Sequence, residues 1–172
     1  SYYTTPNTTL NTVGYAGKFH ERDACISDVS EEFAKIQNKK RGYLVRDCSR
    51  IANLNFIVAN HYHNSYVTMC GFYKSVDCIV ISSMEEGAGV PALEAAAAGK
   101  LVISTPVGHW NDRIGVKGGI EVPIEENEFV ANLINTLTYY KNNPKEYQAR
   151  CLQIQEHAKT YDWSNVITKW ID

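Results

Sequence analysis

Apolar residues fall along this chain in short continuous runs, and the segments between them carry apolar positions at helical spacing. The runs at Thr12–Ala16, Tyr43–Val45, Asn55–Ala59, Asp77–Ile81, Leu101–Ser104 and Ile120–Val122 predict strands, with Asp77–Ile81 buried on both faces. Val29, Phe33 and Ile36 recur at helical intervals over Asp28–Asn38, with Ser30-Glu31-Glu32 near the start. Val67–Ser75, an alanine-rich stretch after Pro91, Asn127–Tyr140, Pro144–Thr160 and Ser164–Ile171 read as further helices. Strand and helix alternate. Such a pattern implies parallel pairing, right-handed crossovers and helices on both faces of one sheet. Residues 1–11, SYYTTPNTTLN, are polar and aperiodic and read as a linker, leaving 12–172 as one domain.

Composition changes little in that picture and excludes several functions. The chain has 172 residues, 44% hydrophobic and 21% charged, which suits an ordinary globular domain with its own core. A net charge of −2 with no basic stripe argues against a nucleic-acid partner. Lys39-Lys40-Arg41 reads as a solvated helix end at the pole where cations are favoured. No apolar run approaches the roughly 18–20 residues that span a bilayer. The cysteines at 25, 48, 70, 78 and 151 are odd in number and lack a C-x-x-C pair, so buried free thiols are expected and no metal site is.

The chemistry concentrates in residues 82–114, SSMEEGAGVPALEAAAAGKLVISTPVGHWNDRI. Glu86 and Glu94 bracket a Gly-Ala-Gly-Val-Pro turn that follows the apolar run and opens the alanine-rich helix. The first turn of a helix has N–H groups without internal partners and carries partial positive charge. Gly87 and Gly89 let a ligand approach those groups, and Pro91 fits the first turn, where its missing N–H costs nothing. Glu94, about one turn in, can accept hydrogen bonds from two vicinal hydroxyls. Glu86 stands at the strand exit, where open parallel sheets bind ligands. The combination suits a molecule with phosphate at one end and hydroxyls at the other. A dinucleotide oxidoreductase is set aside, because residues 13–19 offer Gly14 and Gly17 without the rest of a Gly-x-Gly-x-x-Gly.

This stretch resembles the donor-binding half of retaining glycosyltransferases of GT-B architecture and family-4 type, whose signature reads S-x-x-E-G-F-G-x-P-x-x-E-A. The chain offers the Ser82-Ser83 pair, Glu86, Gly87, Gly89, Pro91, Glu94 and Ala95, then Gly99, Val102, Ile103, Thr105, Gly108 and Asp112. VGYAGKF (13–19) is similar to the family's opening strand and turn, FYKSVDCIVISS (72–83) to its tyrosine–aspartate–strand unit, and YDWSNVITKW (161–170) to its closing helix. The resemblance covers nearly the whole chain. It implies a Rossmann-like α/β domain with a parallel sheet of about six strands, forming the C-terminal half of a two-domain enzyme. An N-terminal Rossmann-like domain carrying the acceptor site would precede it, and the fragment alone would be inactive.

The resemblance also assigns roles. Glu86 falls at the donor sugar as the catalytic candidate, Glu94 at the ribose, and the Gly87, Ala88, Gly89 and Val90 backbone at hexose and phosphate. Gly17 belongs to the phosphate-side turn. Lys18 stands at the family's arginine position. Asp23 occupies the usual lysine position, so Arg22 is the substitute cation. The substrate would be a nucleotide-diphosphate sugar such as a UDP- or GDP-sugar, with no metal and no cofactor. A cytoplasmic enzyme, membrane-associated through the absent domain, goes with that assignment. Three departures stand out: Ala88 for the family's phenylalanine, Asp23 for its lysine, and His109 for the second glycine of its Gly-Gly turn. They keep open a non-catalytic GT-B-like binding or assembly module, or another GT-B sugar-phosphate enzyme. His20, His61 and His63 read first as solvated loop residues, with donor contact the lesser alternative.

Overall fold

Among the described residues, five parallel strands lie in the order β2-β1-β3-β4-β5. They are β1 (Thr12–Tyr15), β2 (Asn55–Val58), β3 (Cys78–Ile81), β4 (Leu101–Ser104) and β5 (Ile120–Glu121). The helices described with them are α1 (Gly42–Ile51), α2 (Tyr66–Ser75), α3 (Val90–Ala97), α4 (Glu126–Asn142) and α5 (Pro144–Ala158). The computed structural model describes residues 8–17, 40–59, 66–84, 90–107 and 117–160, with backbone alone at 66–70 and 90–91. The expected helices over 28–38 and 164–171 lie outside the described residues.

The central strands are apolar runs because both of their faces are covered. Residues 101–104 of β4 are all buried, as are Cys78, Ile79 and Val80 of β3, whereas edge strand β2 is only partly covered. The ladder is in register from Cys78↔Leu101 to Ile81↔Ser104, and Val13 pairs with Cys78 on the other side. β1 leads leftward to β2, and β3 leads rightward to β4. With right-handed crossovers, that reversal places α1 on one face and α2 and α3 on the other. Helix α1 packs with α4, and α3 packs with α5 and β4.

The sequence expectation is corrected at Tyr43–Val45. Those residues form the first turn of α1 and are no strand, so the sheet has five strands among the described residues and not about six. The burial of Val45, Cys48, Ser49 and Ala52 follows the i, i+3, i+4, i+7 spacing of one helix face. A three-residue apolar run at the start of such a face looks like a strand only when taken alone.

The amino edge of the sheet is fastened by side chains. The Asp77 carboxylate accepts from the backbone N–H groups of Asn11 and Thr12 at 2.9 and 2.8 Å, fixing the entry of β1 beside β3. The Tyr147 hydroxyl donates to the Asp77 carbonyl at 2.7 Å, holding α5 to the same point. Lys100 is buried there too; burial lowers its pKa, and the Asp77 charge opposes that shift. Cys48, Cys78 and Cys151 are free, buried thiols; burial, the largest cause in each, pushes Cys48 and Cys151 up to about 11 and Cys78 well above its ordinary value. Tyr140 and Tyr147 also belong to the core, while Tyr139 is exposed.

Gly14 marks the tightest packing between β1 and its neighbours. A Cβ there would sit 2.7 Å from Val76 Cγ1, 2.9 Å from Ile79 Cδ1 and 3.1 Å from Phe72 Cζ. Three rigid core groups cannot all retreat from one methyl. Gly14→Ala is therefore expected to lower the unfolding free energy by about 1–3 kcal/mol in urea denaturation. An unchanged midpoint would mean that this side of the core is looser than its packing indicates.

Candidate functional site

The carboxyl ends of β1 and β3 are adjacent, and their onward connections leave in opposite directions. In an open parallel sheet that reversal opens a crevice, and ligands bind there. Gly17 follows β1 at this edge, with its bare Cα close to the Tyr15 ring; a Cβ would meet the Tyr15 hydroxyl oxygen at 2.9 Å. Ser82, Ser83 and Met84 leave β3 at the same edge, and α3 begins a few residues later at Val90.

Buried hydroxyls lock the exits of β3 and β4 together. Thr105 Oγ1 donates to the Ser83 carbonyl at 2.6 Å, and Ser104 Oγ donates to the Thr105 carbonyl at 2.7 Å. Ser82, Ser83, Ser104 and Thr105 are all 2% exposed or less. Four polar residues would be costly at such depth without partners. Their hydrogen bonds show why a polar patch follows two apolar strands: it joins the exit of β3 to the exit of β4.

Arg41 completes this lock, and it corrects the reading of Lys39-Lys40-Arg41 as a solvated helix end. Arg41 is 3% exposed. Its Nε donates to the Ser82 carbonyl at 2.8 Å and its Nη1 to the Ile124 carbonyl at 2.6 Å. The guanidinium lies 4.8 Å from the centre of the Phe129 ring, a cation–π contact. Ser82 Oγ in turn donates to the Lys40 carbonyl. The single side chain thus ties the β3 exit to the segment entering α4 and to the start of α1. Its backbone stands in the left-handed region at φ 57. Burial lowers the pKa of the guanidinium, with Tyr43, Glu126 and Glu125 acting in the opposite direction. Nη2 is buried without a hydrogen-bond partner.

Glu94 is the acidic candidate whose side chain is described. It lies one turn into α3 and is partly buried. Tyr73, on α2 and 1% exposed, donates its hydroxyl proton to Glu94 Oε2 at 2.8 Å. Helix α3 ends in a left-handed Gly99 at φ 75, where the Gly99 and Lys100 N–H groups return to the Ala96 and Ala95 carbonyls, and the chain turns into β4. The helix is thereby joined to α2 at Glu94 and to β4 through Gly99.

Of the other candidates, Val90 is the first residue of α3. Lys18, Arg22, Glu86, Gly87, Ala88 and Gly89 lie outside the described residues, as do Asp23, His20, His61, His63 and His109. Among the described residues, no group of three or more His, Cys, Asp or Glu is placed to hold a metal ion. Among the same residues, no helix is long and apolar enough to cross a membrane. The sequence reading missed Arg41 and did not pair Tyr73 with Glu94. Both partnerships are tertiary, spanning 41 and 21 positions, and no local spacing announces them.

The family model described as "Glycosyl transferases group 1" matches residues 11–139. An uncharacterized glycosyltransferase of Sulfolobus islandicus rod-shaped virus 1 is 27% identical over 142 residues, covering 70% of this chain and 40% of that protein. The chain therefore spans less than half the length of that relative. Among solved structures, the C-terminal domain of a group 1 family glycosyl transferase, LpcC of Francisella tularensis, superposes with a TM-score of 0.62 at 15% identity, covering 92% of this chain and 94% of that one. HepE of Anabaena, solved in complex with UDP, superposes at 0.59 and 15% identity over 98% of this chain and 52% of its own. These likenesses show the fold: this chain has the α/β architecture of a C-terminal GT-B domain.

Proposed function

The chain belongs to the group 1 glycosyl transferases, and on that premise we propose that it is the donor-binding domain of a retaining enzyme that uses a nucleotide-diphosphate sugar. The observation that carries this proposal is the placement of Glu94. It stands one turn into the helix that follows β3, beside the sheet's reversal point, with its carboxylate held by Tyr73. A fixed carboxylate there suits the vicinal hydroxyls of a ribose. The α3 N-terminus and the Gly87–Val90 amides then face the diphosphate, with Lys18 and Arg22 adding positive charge and Glu86 meeting the donor sugar.

In transfer, the bond between the anomeric carbon and the diphosphate oxygen breaks, and its electron pair leaves with the nucleoside diphosphate. The acceptor hydroxyl oxygen bonds to that carbon, and its proton ends on the departing nucleoside diphosphate or in solvent. Dipoles and cations fixed beforehand around the leaving phosphate lower the barrier, because they need no rearrangement as charge develops. The acceptor site belongs to a second domain in this scheme, so the 172-residue chain binds donor without efficient transfer.

A thermal-shift screen with UDP-, GDP-, ADP- and TDP-sugars tests the proposal. A ligand at 100 times its Kd adds about 2.7 kcal/mol of stability, which in a domain of this size raises the melting temperature by roughly 5–10 °C. At least one donor is expected to do so. No shift with any of them at millimolar concentration would favour a non-catalytic module that keeps the fold.

A further inference from the structure

A phenol hydroxyl on a buried ring has to find a partner within the protein. The Tyr73 ring packs beside Phe72, with ring centres 5.3 Å apart, and it sends its hydroxyl to a carboxylate on the next helix. An ionised carboxylate only accepts, so the tyrosine donates, and a bond to a charged acceptor is stronger than a neutral one. Glutamate has three side-chain torsions, and freezing them costs entropy. Tyr73 makes Glu94 bear that cost during folding, before any ligand arrives. A group already set in its bound rotamer binds more tightly than one that must be ordered at the moment of binding. The carboxylate's two oxygens offer about four acceptor positions, so accepting from Tyr73 is compatible with also accepting from ligand hydroxyls.

We propose that Tyr73 is a positioning residue that presets the Glu94 carboxylate for a pair of adjacent sugar hydroxyls, and thereby sets the site's preference for ribonucleotides over dideoxyribonucleotides. This rests on the assignment of Glu94 to the donor ribose. A tyrosine that merely filled the core would affect all ligands alike. One that acts through Glu94 affects only ligands that Glu94 can tell apart.

The test is calorimetric titration of the wild-type chain, Tyr73→Phe, Glu94→Ala and the double variant with UDP, GDP and ADP, each paired with its 2′,3′-dideoxy form, which offers Glu94 no hydroxyl. For the base that binds, the wild type is expected to prefer the ribonucleotide at least tenfold. Tyr73→Phe should weaken ribonucleotide binding roughly five- to twentyfold, leave the dideoxy form within twofold, and so collapse the ratio. Adding Tyr73→Phe to Glu94→Ala should change nothing further. Equal weakening of both forms, an unchanged ratio in Tyr73→Phe, or a full extra loss in the double variant would overturn the positioning role while leaving the donor site standing. Binding of neither form to the wild type would overturn the donor assignment, and the role of Tyr73 with it. Tyr73→Met, which also lacks the hydroxyl, serves as the second variant if the phenylalanine form folds poorly, and the same ratio decides.

Discussion

Arg41→Ala should melt roughly 5–15 °C below the wild type. The substitution removes two hydrogen bonds from a charged donor, to Ser82 and Ile124, each worth about 1.5–3 kcal/mol in comparable settings. It also removes the contact with Phe129 and leaves two carbonyls and a void at the carboxyl edge of the sheet. Against this stands the relief of burying a guanidinium whose Nη2 has no partner. The bonds outweigh the relief, and a net loss of about 2–4 kcal/mol remains. Two companion variants separate side chain from backbone. Because Arg41 has φ 57, Arg41→Gly removes the same side chain but eases the left-handed conformation by about 1 kcal/mol. Glycine should therefore be less damaging than alanine, the reverse of the usual helix ranking. Arg41→Lys keeps the charge but cannot reach both carbonyls with a planar fork, and should fall between alanine and wild type. Should the alanine variant melt within about 2 °C of the wild type, Arg41 does not tie the β3 exit to α4.

That residue also shows where a sequence stops being legible. The buried strands β3 and β4 could be read directly, because covering both faces of a central parallel strand demands an uninterrupted apolar run. The closing helices α4 and α5 were likewise visible in their apolar spacing, to within a few residues at each end. Tyr43–Val45 was misread because a three-residue apolar run satisfies either period, and only its continuation through Cys48, Ser49 and Ala52 settles it as helix. Arg41 was harder. A cation beside two lysines looks solvated, and its burial depends on carbonyls of Ser82 and Ile124 that come together only when the sheet has formed. At the site, the succession of strand β3 and the helix carrying Glu94 was legible because it is local. The hydroxyl that orients Glu94 comes from the preceding helix, and the pairing needed the fold.

Glu94→Ala is expected to abolish the nucleotide-induced thermal shift and to weaken nucleotide binding by roughly two orders of magnitude. Two hydrogen bonds from vicinal hydroxyls to a charged acceptor are worth about 3–6 kcal/mol together, and re-solvation of those hydroxyls returns part of it, leaving about 2.7 kcal/mol, a hundredfold. The same change has a separate cost in stability. It strips the buried Tyr73 hydroxyl of its acceptor, at about 1–3 kcal/mol, only slightly offset by the better helix propensity of alanine. Glu94→Gln divides the two effects. Its amide oxygen can still accept from Tyr73, so the fold should stay within about 1 kcal/mol of the wild type, while the loss of charge weakens the grip on ligand hydroxyls. Stability and affinity should thus part company in the glutamine variant and fall together in the alanine variant. If nucleotides shift both variants as far as they shift the wild type, the carboxylate of α3 is not in the donor site, and the Tyr73 bond is there only to satisfy a buried hydroxyl.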